Sequence, residues 1–139
     1  MVKRDFKNII FFFIGLLSLQ SFYSCQKSSI NGDLDGRWQI MEIETEGEIE
    51  SVKDKQLYYN FYLHVCNLSY YGGVYTDGNF HYEDNKITLD FPYINTEEGV
   101  ETLARYGIYS NPETFIVVYL DKKKLIMEND ESLITLRKF

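Results

Sequence analysis

Between residues 57 and 66, apolar side chains alternate with more polar ones. A repeat of two residues places successive side chains on opposite faces of a β-strand. The odd positions are apolar or aromatic and the even positions are half polar, as in an antiparallel sheet with one face in water. The apolar face of this predicted strand consists of Leu57, Tyr59, Phe61, Leu63 and Val65.

Strand and turn patterns continue on both sides of this segment. A first strand is predicted from Trp38 to Ile43. Gly72-Gly73 and Asp77-Gly78 each indicate a turn or bend, because these residue pairs favour chain reversal. Apolar alternation on either side of residues 83–86 predicts a hairpin there. These patterns favour short strands joined by tight turns.

The second half of the chain predicts one helix followed by a meander. Asn95 can cap a helix with Glu98 three residues on, and the apolar stripe that follows has helical spacing: Val100, Leu103, Ala104 and Gly107. Residues 114–120 are apolar on both faces, which is typical of the most buried strand of a sheet. Two more strands, 125–127 and 133–136, then complete the chain.

The strand count predicts a closed barrel. About eight strands joined by short turns suffice for a barrel whose interior holds side chains or one small ligand. Closure also removes the exposed edges of so apolar a sheet. The predicted fold class is therefore all-β, an antiparallel up-and-down eight-stranded barrel with one short helix.

Residues 1–24 are predicted to be a lipoprotein signal peptide. Three basic residues lie within the first seven positions, and an apolar run at 9–19 is short for a membrane span. Ser24 directly precedes Cys25, which is the predicted site of lipidation. More than one acyl chain on Cys25 would anchor the protein stably to a membrane. Residues 25–32 are small and polar and are predicted to form a tether.

The length and charge of the remaining chain limit the number of its domains and the classes of partner that it can bind. Residues 33–139 are enough for one domain and too few for two. The net charge after removal of the leader is −9, which argues against nucleic acid and against an anionic lipid surface as partners. Beyond Cys25 the chain has a single cysteine, Cys66, so no intramolecular disulfide is expected.

The segment Gly36-Arg37-Trp38 resembles the Gly-x-Trp motif at the start of lipocalin barrels. In that family a later arginine stacks on the tryptophan at the closed end of the barrel, and Arg137 is suitably placed for this role. The alternative is that Arg137 is a solvated charge on the last strand. In its short length and mid-chain helix, the chain is similar to small lipocalin-like domains of bacterial lipoproteins, a family of unassigned function.

The resemblance to bacterial lipoproteins also implies a cellular location. We expect a membrane-anchored protein in the cell envelope of a Gram-negative bacterium. Residues 26–29 lack the acidic cluster that some surface-exposed lipoproteins have after the lipidated cysteine. The expected location is therefore the outer membrane, facing the periplasm.

Few residues suggest catalytic or metal chemistry. His64 and Cys66 are two apart, and His81 could lie on a neighbouring strand, which would give three zinc ligands. The alternative is a half-buried cysteine with two surface histidines, and we expect no metal or other cofactor. Because no nucleophile, phosphate-loop or metalloprotease motif occurs, we expect that the protein is not an enzyme.

Two functional hypotheses remain. The first is a barrel that binds a small apolar or aromatic molecule, with the hydroxyls of Tyr59 and Tyr119 as its hydrogen-bonding groups. The second is a filled barrel that presents its surface to another envelope protein or to glycan. The inward face is predicted to contain Trp38 and Ile40, with these candidate ligand-lining residues: Tyr59, Phe61, Leu63, Leu89, Phe91, Phe115, Val117 and Tyr119.

Overall fold

The computed structural model describes residues 29–139, which form one antiparallel sheet and one α-helix. The signal peptide, Cys25 and the first part of the tether lie outside the described residues. Within the described part, no helix has the length and apolar character needed to span a bilayer. The strands are β1 (Gly36–Thr45), β2 (Glu48–Ser51), β3 (Tyr58–Tyr62), β4 (Val65–Tyr70), β5 (Gly73–Glu83), β6 (Lys86–Asp90), β7 (Glu113–Leu120), β8 (Lys124–Glu128) and β9 (Ser132–Lys138), and the helix is α1 (Glu97–Ala104).

The sheet closes on itself through the pairing of β1 with β9. Strands β3 to β9 follow one another around the sheet, each beside its neighbour in sequence. The short β2 pairs with the second half of β1, whereas β3 pairs with the first half, so both lie along one edge of β1. The ring therefore has eight strands, and the predicted antiparallel eight-stranded barrel with one helix is confirmed.

The two ends of the barrel are distinct. One end, called here the closed end, contains the start of β1, the end of β9 and the turns at 63–64, 84–85 and 121–123. The other end, called the open end, contains the turns at 46–47, 71–72 and 129–131. Helix α1 lies in the long connection between β6 and β7, at the open end.

The strand predicted over residues 57–66 is two strands joined by a hairpin. Tyr62 pairs with Val65, and Leu63 between them has φ +56° at the turn. The reversal changes the alternation, so Val65 is exposed and Cys66 is buried in the core, opposite to the prediction. A left-handed backbone at leucine is uncommon, which explains why the residue types did not indicate a turn there.

The predicted turns differ in outcome. Gly72 has φ +93° between β4 and β5, and Asp84 and Asn85 both have positive φ between β5 and β6, as tight hairpins require. The bend predicted at Asp77-Gly78 is wrong, because both residues lie within β5. A Cβ at Gly78 would lie 2.5 Å from the Phe91 ring, so this glycine allows close packing.

Strand β7 is not the fully buried strand that its composition predicts. Ile116, Val118 and Tyr119 are exposed on its outer face, whereas Phe115 is buried. A barrel wall has one face in solvent, and β7 is apolar on that face too. The prediction failed because apolar composition alone does not distinguish an exposed apolar face from a buried one.

Helix α1 begins one residue later than predicted. The Thr96 side chain, not Asn95, accepts a hydrogen bond from the Gly99 amide at 3.1 Å. The helix ends in a Schellman arrangement, in which the Gly107 amide donates to the Ala104 carbonyl and the Ile108 amide donates to the Leu103 carbonyl. Gly107 has φ +77°, which this chain reversal requires.

Candidate functional site

The barrel interior is occupied by the protein's own side chains. Of the predicted lining residues, Tyr59, Phe61, Leu89, Phe91 and Phe115 lie in the core with at most 1% of their surface exposed, and Val117 packs against them half-buried. Aromatic rings contact one another across the interior: the Tyr59 ring stacks on Phe61 with centroids 5.8 Å apart, and Phe61 meets Phe80 edge to face at 5.1 Å. The side chains predicted to surround a ligand therefore fill the core.

Leu63 and Tyr119 do not face inward, and their prediction as lining residues is wrong. Leu63 lies in the β3–β4 turn at the closed end. Tyr119 follows a register shift in β7, where Val117 pairs with Met127 and Tyr119 pairs with Ile126. This bulge moves the alternation by one residue, so Tyr119 points outward and its hydroxyl donates to Asp121 at 2.7 Å.

The buried tyrosine hydroxyls are already engaged within the protein. The Tyr59 hydroxyl donates to the Tyr106 carbonyl at 2.6 Å. In turn, the Tyr106 hydroxyl donates to the Ser69 carbonyl at 3.0 Å, and its ring meets the Tyr59 ring edge to face. These bonds attach the segment after α1 to strands β3 and β4. Neither donated hydrogen remains for a ligand, although each hydroxyl oxygen can still accept.

Burial also determines the ionisation of these phenols. Desolvation raises the pKa of Tyr59 well above its ordinary value, with smaller effects from Cys66 and Glu113. The pKa of Tyr106 is raised to about 12, mainly by desolvation and further by Tyr75 and Tyr70. Both phenols are therefore neutral at physiological pH.

Trp38 forms the base of the core at the closed end. Its indole is fully buried, and its Nε1–H donates to the Leu34 carbonyl at 2.7 Å. Gly36 has φ +131°, and a Cβ there would lie 2.7 Å from Lys138 Cε. This glycine lets the Lys138 side chain pass close to the start of β1.

The cation over the Trp38 ring is Lys138, not Arg137. Lys138 Nζ lies 4.9 Å from the ring centroid and donates to the Asp33 carbonyl. Register explains the difference, because Trp38 is paired with Lys138, whereas Arg137 is paired with Gln39 on the outer face. Arg137 donates to the Gln39 Oε1 at 2.8 Å. The predicted stacking of Arg137 on Trp38 is therefore wrong by one residue.

The end of α1 and the segment after it cover the open end. Leu103, Tyr106 and Ile108 are buried in the same core as the barrel interior. The Gly107 carbonyl accepts from the Asn129 amide at 3.0 Å, and the buried Glu113 carboxylate accepts from the Tyr109 and Ser110 amides at 3.0 and 3.1 Å. This segment is therefore hydrogen-bonded to the end of the barrel on more than one side.

Two clefts flank α1 at the open end. A cleft of about 670 Å³ lies between α1 and residues 108–111, with apolar walls that include Ile94, Val100 and Leu103. The second, about 680 Å³, lies between α1 and the β1–β2 hairpin and is lined by acidic side chains that include Glu46, Glu48 and Glu101. Both are of ligand size, and the first has the more apolar walls.

The three possible zinc ligands do not come together. Cys66 is buried inside the barrel, whereas His64 lies in an exposed turn. His81 is on the outer face of β5, where its Nε2 lies 2.9 Å from the Glu83 carboxylate. No group of three metal-binding side chains is found among residues 29–139. Burial raises the pKa of the Cys66 thiol well above its ordinary value, so it is protonated and unreactive at neutral pH.

Sequence reasoning missed the residues that close the barrel ends: Leu34, Tyr106, Ile108 and Lys138. A glycine just after a helix often marks a left-handed reversal, and Gly107 could have indicated that Tyr106 and Ile108 turn toward the core. Lys138 could have been identified only from the register between β1 and β9, in which Trp38 is paired with Lys138. No pattern in the sequence indicates Leu34, which lies in a short 3-10 helix, Gly32–Leu34.

This chain is similar to a known protein family and to solved protein structures. The model of a family described as a lipocalin-like domain matches residues 17–139. A lipocalin-like protein from Bacteroides uniformis ATCC 8492 has a TM-score of 0.65 and 24% identity, over 78% of this chain and 100% of that one. An uncharacterized protein from Bacteroides eggerthii DSM 20697 has a TM-score of 0.56 and 20% identity, over 76% and 98%. No curated protein matches the chain.

Proposed function

Because the chain belongs to the lipocalin-like domain family, we propose that it is a lipid-anchored, non-enzymatic protein of the cell envelope that acts through its surface. In this proposal its barrel is filled by its own side chains and presents its outer face to another envelope protein or to glycan. The observation that supports it best is the buried core, in which large aromatic residues occupy the space that a ligand would need.

The fixed position of the segment after α1 also supports this proposal. An internal ligand site needs a route of entry, and Tyr106 and Ile108 lie buried across the open end. The hydrogen bonds that Tyr59 and Tyr106 donate would have to break before this segment could move away. Movement of this segment away from the barrel would therefore remove contacts from the core as well as from the open end.

The proposed lipid anchor rests on the leader and on Cys25, both outside the described residues. Metabolic labelling with palmitate tests it directly. We expect label in the wild-type protein and none in the Cys25→Ala variant. Equal absence of label in both proteins would contradict the anchor.

A second candidate function is binding of a small apolar molecule in the 670 Å³ cleft beside α1. Ile94, Val100 and Leu103 give this cleft apolar walls. This site lies outside the filled barrel, so it is compatible with the packed core.

Titration with an apolar fluorophore, followed by the dye's own emission, separates the two candidates. Surface action alone predicts no saturable binding. Saturable binding that Val100→Trp abolishes would assign the ligand to the cleft beside α1. Saturable binding that Val117→Trp abolishes, with Val100→Trp unaffected, would place the ligand inside the barrel and contradict the filled-barrel proposal. Circular dichroism of each variant checks that the fold is retained.

A further inference from the structure

The position of the proposed anchor and the distribution of charge differ between the two ends of this barrel. We propose that the closed end lies against the anionic surface of the membrane and that the open end points away from it. This inference rests on the proposed lipid anchor at Cys25. It adds an orientation of the barrel to the proposed anchor, and a second contact with phospholipid that protein side chains make.

The closed-end face is defined here by residues 29–37, 62–65, 83–84, 121–124 and 137–139. Hydrogen bonds join four of these five segments. The Asn31 side chain donates to the Leu63 carbonyl at 2.9 Å, and Lys138 Nζ donates to the Asp33 carbonyl at 2.8 Å. The Lys138 amide also donates to the Lys123 carbonyl at 2.8 Å. The face is therefore one continuous surface at one end of the barrel.

The anchor position places this face next to the membrane. Ser29, the first described residue, is only four residues after Cys25. Even a fully extended chain of four residues spans only about 14 Å. Ser29 is itself held to the closed end, because its hydroxyl oxygen lies 2.6 Å from the Asp35 carboxylate. A lipid on Cys25 would therefore keep the closed end within a short distance of the bilayer.

Large apolar side chains protrude from the closed-end face. Their exposed fractions are 57% for Ile30, 61% for Tyr62, 47% for Leu63 and 69% for Phe139. Leu63 is at the tip of the β3–β4 hairpin, with Tyr62 beside it. Apolar and aromatic side chains on a surface that also has lysines are typical of proteins that rest in the membrane interface.

Charge is distributed unevenly between this face and the rest of the barrel. The closed-end face contains six basic and five acidic side chains, whereas the other described residues include four basic and fifteen acidic ones. The basic side chains of the face include three consecutive lysines in the β7–β8 turn, Lys122, Lys123 and Lys124, all exposed. Anionic phospholipid attracts such a group.

Part of the acidic charge on this face is hydrogen-bonded within the protein. Asp121 accepts hydrogen bonds from the Lys123 and Lys124 amides, both at 2.7 Å. Asp35 accepts from the side chain of Asn31 at 2.6 Å. The net charge of −9 after removal of the leader predicted that an anionic lipid surface would be avoided, but that charge is concentrated away from the closed end. Repulsion of the acidic open end by the membrane would favour the same orientation.

The experiment uses the full-length lipidated protein, extracted from membranes and reconstituted into vesicles of phosphatidylethanolamine and phosphatidylglycerol with brominated acyl chains. Bromine quenches tryptophan that lies at the interface. A Leu63→Trp variant places a probe on the closed-end face. Val74→Trp is the matched control, because Val74 is 59% exposed beside the open-end turn. The buried Trp38 contributes the same background to both.

We expect brominated lipid to cause a loss and a blue shift of Leu63→Trp emission, and to leave Val74→Trp at the wild-type level. Adding Lys122→Glu and Lys123→Glu to Leu63→Trp should reduce the quenching. Adding Lys53→Glu and Lys55→Glu, with the same charge change elsewhere, should not. Equal quenching at Leu63→Trp and Val74→Trp, in protein that floats with the vesicles, would overturn the orientation alone. Loss of flotation would overturn the anchor and the orientation together.

Discussion

Trp38 illustrates how single residues determine the closed end. Its indole is fully enclosed between Leu34, whose carbonyl accepts its N–H, and the Lys138 side chain. The Gly-x-Trp spacing could be recognised in the sequence, but the identity of the cation depended on the register between β1 and β9. One residue of register separates a lysine over the ring from an arginine on the outer face.

Replacing Trp38 with alanine should lower the free energy of unfolding by about 3–5 kcal/mol, because a large buried aromatic site would be emptied. Thermal unfolding followed by circular dichroism measures the loss. Tyr93→Ala is the control, since Tyr93 is 80% exposed and its truncation should change the melting temperature little. A Trp38→Ala protein as stable as the wild type would show that the indole does not support the core.

The buried phenols predict a loss of stability in alkali. In the unfolded chain tyrosine ionises near pH 10, whereas the pKa of Tyr106 is about 12 in the folded protein and that of Tyr59 is also raised. Their contribution is therefore complete below pH 10 and is lost as pH rises through the folded pKa values. Unfolding curves at several pH values should show a melting temperature that falls above pH 10.

The matched variants for this pH effect are Tyr59→Phe and Tyr93→Phe. Tyr59→Phe lowers stability at neutral pH, since the Tyr106 carbonyl loses its donor. It should also make the decline above pH 10 shallower, because one buried phenol no longer has to stay protonated. Tyr93→Phe should leave both unchanged. An identical alkaline slope in wild type and Tyr59→Phe would contradict the role of Tyr59 burial.

At the scale of elements, the sequence predicted the strands better than their faces. The hairpin at residues 83–86 and the final meander follow from alternation and turn residues. The errors occur where the alternation is interrupted: the left-handed turn at Leu63, and the β7 bulge that turns Tyr119 outward. Such interruptions depend on pairing with a neighbouring strand, and a local pattern does not contain that information.

The start of α1 was also predicted one residue away from its position, and substitutions can test this difference. Thr96→Ala removes the hydroxyl that accepts from the Gly99 amide and should destabilise the protein by about 1 kcal/mol. Asn95→Ala, one residue earlier, should have little effect on the chemical denaturation midpoint. If Asn95→Ala is the more damaging substitution, the helix begins at the residue that the sequence predicted.

For the whole molecule, the strand count indicated a closed barrel but not how it is closed at the ends. The interior aromatics Tyr59, Phe61 and Phe115 could be assigned from alternation. The residues after α1 that cover the open end could not, because their position depends on hydrogen bonds to β3, to β4 and to the turn between β8 and β9. The net charge also did not show that charge is unevenly distributed over the barrel. The basic residues come together only when the fold brings the strand ends together.

The proposed function requires that the barrel is filled and has no internal ligand site. Xenon enters dry apolar cavities in protein crystals and shows them directly. Wild-type crystals under xenon pressure should show no xenon within the barrel, whereas Phe115→Ala, which removes a fully buried ring, should bind xenon where the ring was. An ordered xenon atom among Phe61, Leu89 and Phe115 in the wild-type protein would contradict the account.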